Sequence, residues 1–233
     1  MPSGTHVRLP LLLTDDVQFP CTRVRLPLAG ALLCDLLVRP PEERWLGVVL
    51  ARQPGAAPAG TASRLLELEP DGEGARVVLL GAHRIALAEA PAEAERPTPS
   101  YPTASYPTAS YPTASYPTAL VRLLPEPPLD EHAPLLRSLR EELAGRLAEA
   151  IDALGEAMPL ARSTLERLVD APFEELVNRA AAALDVPPLR KVELLTLPLF
   201  DRAAEVAGIL RSRTKLVELL RPYRHLMVAA EQN

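Results

Sequence analysis

Lysine is almost missing from this chain: of 25 basic residues only Lys191 and Lys215 are lysines, and the formal net charge is −5. With more acid than base, the chain lacks the positive field that holds a phosphate backbone, so nucleic acid is not expected as a partner. Cysteine is scarce as well. Cys21 and Cys34 are the only two, too far apart for a CxxC pair, and read as reduced core residues rather than as a disulfide. Long apolar runs are absent: the opening MPSGTHVRLPLLLTDD stops at two acids, which suits neither a signal peptide nor a membrane span. A cytoplasmic protein is the expectation.

The recurrent signatures of catalysis are also missing. The sequence contains no GxxxxGK[ST] phosphate loop, no GxSxG elbow and no HExxH helix. His6, His83, His132 and His225 are scattered without ligand spacing. The acid pairs Asp15 with Asp16, Glu141 with Glu142 and Glu174 with Glu175 are sequence neighbours whose side chains diverge, so they read as solvated or helix-start residues rather than as an acid and a base. Ser212, Thr214 and Lys215, beside Arg211 and Arg213, read as one charged helix face. No enzyme activity, cofactor or metal is therefore expected.

What is present is the composition of a folded protein, 48% hydrophobic and 24% charged over 233 residues, enough for one large domain or two small ones. The first half reads as strands. In RVRLPL, Val24, Leu26 and Leu28 share one face and Arg23 and Arg25 the other. WLGVVLAR is a buried strand with Leu46, Val48 and Leu50 on one side, and Ala29 to Val38 is a short helix. In RLLELEPDGEGARVVLL, Leu66 and Leu68 face one way and Glu67 and Glu69 the other, and PDGEG turns a hairpin. Gly81 marks a bend or bulge before HRIALA.

Beyond Pro128 the period changes to that of helices. Leu139, Leu143, Leu147, Ile151 and Leu154 form one stripe on a helix starting near Asp130 or Glu131, with Glu142 and Arg146 paired on its surface. Asp170 and Asp185, each shortly before a proline, read as helix N-caps. A last helix runs from about Pro198 to Leu220, with Leu199, Ala203, Val206, Leu210, Val217 and Leu220 in heptad-like spacing; it allows self-association as readily as an ordinary core.

Between the two halves, residues 100–119 are four copies of SYPTA. Odd spacing would flip tyrosine from face to face of a strand, and proline in every copy bars a helix. The first three copies are expected to form a surface loop and the last to enter a strand through Leu120, Val121 and Leu123. Tyr101, Tyr106, Tyr111 and Tyr116 could be evenly spaced partner contacts, or the copies a tandem duplication in a tolerant loop.

The order of motifs resembles the N-terminal domain of Lon proteases. RLPLLLTDDVQFPCTRVRLPLAG is similar to that family's first strand pair, with its Asp-Val-x-x-Phe-Pro turn, and Gly60, Thr61, Pro70, Asp71, Gly72, Gly81 and Arg84 fall in the places of its next signature. LLTLPLFDRAAEVAGILRSRTKLVELL resembles its closing helix; Asp201 is in place, whereas Arg202 comes too early for the Asp-x-x-x-Arg spacing. The resemblance spans about residues 7 to 221. It implies an α+β fold, a PUA-like β pseudo-barrel over 1–128 carrying the repeat at 100–119, followed by a helical bundle over 129–233. It implies a stand-alone, non-catalytic module without ATPase or peptidase parts. Its partners would be unfolded or partly folded client proteins, or a protease, bound in an apolar groove between barrel and bundle or by strand addition at a sheet edge. A small-molecule-binding regulatory protein using the same cleft is the alternative. The candidate contact residues are Phe19, Trp45 and Tyr116, although Phe19 could instead plug the turn and Trp45 open a buried strand.

Overall fold

The computed structural model describes residues 6–51, 58–71, 74–89, 92–93, 116–155 and 158–223. The first three SYPTA copies, the tip of the PDGEG turn and His225 lie outside them. The chain divides into two compact units, one ending at Pro125 and the other beginning at Glu126. A mixed sheet makes up the first and helices the second, the expected α+β class.

In the first unit β1 (His6–Thr14), β2 (Arg23–Leu28), β3 (Trp45–Leu50), β4 (Ala59–Asp71), β5 (Gly74–Leu87), β6 (Ala92–Glu93) and β7 (Pro117–Leu124) lie in the order β2-β5-β4-β3-β1-β7-β6. β1 and β3 are parallel, Leu11 opposite Gly47. β5 also pairs with β7, Arg84 opposite Leu124 through Leu87 opposite Val121, so β5, β4, β3, β1 and β7 close a ring. That closure is the pseudo-barrel.

Two bulges shape it. Ala62 pairs with His83 and Ser63 with Gly81, leaving Ala82 as an extra residue on β5. Since side chains alternate with period two, one extra residue exchanges the faces. Before the bulge Val77 and Leu79 enter a core cluster with Leu46, Val48, Leu65 and Leu36; after it Ile85 and Leu87 enter another with Leu9, Leu11, Val49 and Val121. Gly81 thus stands at the expected bulge. The second bulge overturns an expectation: Leu65 pairs with Leu79 and Glu67 with Val78, so Leu66 is extra and exposed. Leu65 takes its place in the core, and Leu68 packs against the same cluster.

β3 is the expected buried strand, with Leu46 and Val48 together in one cluster and Val49 in the other. The helix α1 (Gly30–Val38) covers the first cluster with Leu32, Leu33 and Leu36. Neither cysteine is a core residue: Cys34 is exposed and Cys21, at a φ of 61°, is half-buried; neither is in a disulfide.

The second unit contains α2 (Pro134–Leu154), α3 (Arg162–Val169), α4 (Phe173–Ala183), α5 (Pro188–Thr196) and α6 (Leu199–Leu220). α2 starts later than its leucine stripe suggested, because the Asp130 carboxylate accepts from the His132 amide at 3.0 Å and Pro134 opens the first turn. Asp170 and Asp185 do not cap. Pro172 and Pro187 occupy the N-cap positions, without a side-chain cap bond. The Phe173 amide at the start of α4 instead donates to the Glu131 carboxylate at 3.1 Å, and Asp185 pairs with Arg213. Nor do Glu142 and Arg146 pair with each other: Arg146 reaches Glu149, and Glu142 meets Arg211 on α6.

α6 buries Leu199, Ala203, Val206 and Leu210, but its last turns expose Leu216, Leu219 and Leu220. At its first turn Arg202, 0% exposed, is the largest fully buried side chain of the described residues. It donates to the carbonyls of Leu194 and Leu197, to Asn178 Oδ1 and to the Glu126 carboxylate. A guanidinium is always charged, so burial is tolerable only with such a set of acceptors. No described helix is long and apolar enough to cross a membrane.

Candidate functional site

In the first unit, the connection from β1 to β2 carries Asp16-Val17-Gln18-Phe19-Pro20, one residue shorter between valine and phenylalanine than the Asp-Val-x-x-Phe-Pro pattern it resembles. Phe19 is 0% exposed, so its ring anchors the connection from beneath and offers no surface to a partner, which corrects its reading as a contact residue. Gln18, also buried, holds the backbone: its amide donates to the carbonyls of Thr22 at 3.1 Å and Leu79 at 3.3 Å, and its Oε1 accepts from Ser63 at 2.8 Å. The Thr61 hydroxyl donates to the Gln18 carbonyl at 2.6 Å. Three buried hydrogen bonds tie this glutamine to β4 and β5 and a fourth ties it to Thr22 within the connection; they make the connection rigid, since breaking a buried one leaves a dry polar atom without a partner.

Gly81 allows this docking. A Cβ there would lie 2.4 Å from the Phe19 carbonyl oxygen, closer than van der Waals contact permits. The Cys21 amide donates to the Gly81 carbonyl at 2.9 Å, and the Gly81 amide to the Thr22 carbonyl at 3.0 Å.

A groove of about 410 Å³ opens between the end of β1, this rigid connection and β2. Leu12, Val24, Leu26 and Val48 line it with apolar surface, together with the more exposed Leu13 and Pro27, and the exposed Asp15 and Asp16 are its charged lining residues. β2 is the terminal strand of the sheet and, among the described residues, pairs with β5 alone. Antiparallel bonds recur at every second residue. With the Gly81 amide bonded to Thr22, Val24 and Leu26 direct their backbone groups toward β5, and Arg23 and Arg25 direct theirs to the unpaired edge. Pro27 falls in the outward set and has no N–H to offer, the position at which a strand tolerates proline. The edge therefore presents two amide donors next to an apolar groove, which is what an extended segment needs in order to add as another strand.

The other two aromatic candidates are dispersed. Tyr116, half-buried, packs against the cluster that also receives Leu12, Val24 and Leu26. Burial, reinforced by its hydrogen bond to Asp35, raises its hydroxyl above the ordinary tyrosine value, with Arg39 opposing. Trp45 packs against the other cluster, donates through Nε1 to the Glu42 carbonyl at 2.8 Å and stacks on His83, ring centroids 6.2 Å apart. Partial burial pushes His83 below the usual histidine value. The groove residues themselves escaped sequence reasoning, because RVRLPL reads equally well as a central or a terminal strand; Pro27 was the available signal. Among the described residues no group of three histidine, cysteine or acidic side chains could hold a metal ion.

No protein-family model matches the sequence, and no curated protein is significantly similar to it. Solved structures do match. The N-terminal domain of the Lon protease of the Mycobacterium avium complex superposes with a TM-score of 0.62 at 16% identity, over 88% of this chain and 98% of that one. The Lon N-terminal domain protein from Xanthomonas campestris gives 0.56 at 18% identity, over 87% and 98%. The backbone closure through β5 and β7 and the helices after Pro125 are thus those of a known architecture: the chain has the fold of the Lon N-terminal domains.

Proposed function

We propose that the chain is a non-catalytic protein-binding module that holds extended apolar segments of other proteins. The observation that carries this reading is the unpaired edge of β2 beside the groove floored by Leu12, Val24, Leu26 and Val48. A captured segment would bond through its backbone to Arg23 and Arg25 and place alternate side chains in the groove, the usual division between affinity and specificity in strand addition. The fold shared with Lon N-terminal domains supports a role beside proteolysis, with unfolded or partly folded proteins, or a protease, as partners. Tyr116 and Trp45 enter as secondary contacts and Phe19 as the brace beneath the connection.

The test is fluorescence anisotropy with labelled extended peptides. Leu13 is 46% exposed at the groove, so Leu13→Asp should leave the fold intact and weaken binding of an apolar peptide about tenfold or more, as expected for loss of one apolar contact and addition of an unpaired charge. A folded parent protein that binds no apolar peptide would contradict the proposal.

A further inference from the structure

We infer that the groove selects apolar segments that carry a lysine or arginine beside the apolar run, an inference that rests on the peptide-binding reading above. Of the charged residues lining the groove, both are acids, Asp15 and Asp16; none is a cation. The arginines of β2 do not offset them. Arg23 and Arg25 alternate with Val24 and Leu26 and so project from the opposite face, where Arg25 lies 3.8 Å from Glu69.

The backbone that carries the acids is also held in place. The Asp16 carboxylate accepts from the Val17 amide at 2.8 Å, the Thr14 hydroxyl donates to the Asp16 carbonyl at 2.7 Å, and the buried Gln18 that follows fixes the backbone. Two acids on a fixed backbone beside an apolar groove favour a cation there and disfavour an acid, and this acts on partner choice more than on affinity. The occupant fitted by the site is an extended segment with apolar residues over Val24 and Leu26 and one basic side chain reaching the Asp15 end.

Three peptides of equal length with the same apolar run, flanked by lysine, glutamine or glutamate, are compared by anisotropy on the full chain. Lysine should bind about two- to fivefold tighter than glutamine, the effect of one partly exposed ion pair, and glutamate should bind more weakly than glutamine. The spread should collapse in Asp15→Asn, whose exposed position spares the fold, and shrink further in Asp15→Asn with Asp16→Asn or in 0.5 M salt. Equal binding of all three peptides overturns the inference and leaves the peptide-binding reading standing. No binding of any peptide by the folded chain overturns both. A dimer in light scattering that Leu13→Asp dissolves would give the groove to a second copy of the chain and also overturn the inference.

Discussion

Replacing Gly81 by alanine adds a single methyl group, yet it strikes the point where the β1–β2 connection rests on the sheet. The new Cβ would sit 2.4 Å from the Phe19 carbonyl oxygen and 3.0 Å from Thr61 Cγ2. The first of these is backbone, so no rotamer can relieve it; either Phe19 leaves its place or β5 bends. Overpacking of this kind costs about 1–3 kcal/mol. The shift also stretches the Cys21–Gly81 and Gly81–Thr22 bonds, and loss of one adds about 0.5–1.5 kcal/mol. The sum, about 2–4 kcal/mol, is a large share of a domain's stability. Urea denaturation followed by tryptophan fluorescence reads it directly, since the only tryptophan, Trp45, reports on this unit. Gly145→Ala is the control, followed by far-UV circular dichroism because it lies in the helical unit: nothing lies within 4 Å of its Cβ and it sits in α2, so it should stabilise by about 0.5–1 kcal/mol. If Gly81→Ala unfolds within about 0.5 kcal/mol of the parent, the close approach does not constrain the connection and the rigid wall of the groove loses its basis.

Other expectations are smaller in scope. Arg202→Met should destabilise the helical unit by about 3–5 kcal/mol in thermal or urea unfolding, because the Glu126 carboxylate and two carbonyls lose a buried charged donor; Arg202→Lys should not restore it, lacking the fork. His83 should titrate below the ordinary histidine range by NMR, and Trp45→Ala, which uncovers one ring face, should raise it. The sign for stability follows: the unfolded chain takes up the proton first as pH falls, so His83 contributes a loss of stability that develops from about pH 6.5 downward, and Trp45→Ala should reduce that component of the pH dependence. A chain lacking residues 100–114 keeps the copy that leads into β7 and should unfold at the parent temperature within a degree or two, since loop length enters stability only logarithmically; a large loss would mean that the deleted copies carry structure.

Much of the fold was legible in the residues. Alternation in RVRLPL, the helical run from Ala29 to Val38 and the leucine stripe of α2 all rest on local periodicity, which survives tertiary context when one face is buried. The failures share a cause. Leu66 was placed on the wrong face because a bulge is set by the partner strand. Asp170 and Asp185 looked like caps, but Glu131, forty-two residues before Phe173, supplies the carboxylate for α4. Arg202 stood out only as an arginine too early for the Asp-x-x-x-Arg spacing; the convergence of Glu126, Asn178 and the end of α5 is what makes its burial possible. The groove is of the same kind. Its floor comes from β1, β2 and β3, and its openness from β2 having no second neighbour among the described residues, a property of strand order that alternation along a single strand does not encode. The turn Asp16-Val17-Gln18-Phe19-Pro20 could be picked out, but Gln18, which makes four of the connection's hydrogen bonds, was overlooked as a variable position.

The most direct test is amide hydrogen exchange with and without a saturating extended apolar peptide. Strand addition at β2 predicts that the Arg23 and Arg25 amides, which face the unpaired edge, gain protection while those of Val24 and Leu26, already bonded to β5, change little. Protection appearing elsewhere, or on both sets equally, would show that the peptide does not pair with this edge and would contradict the account.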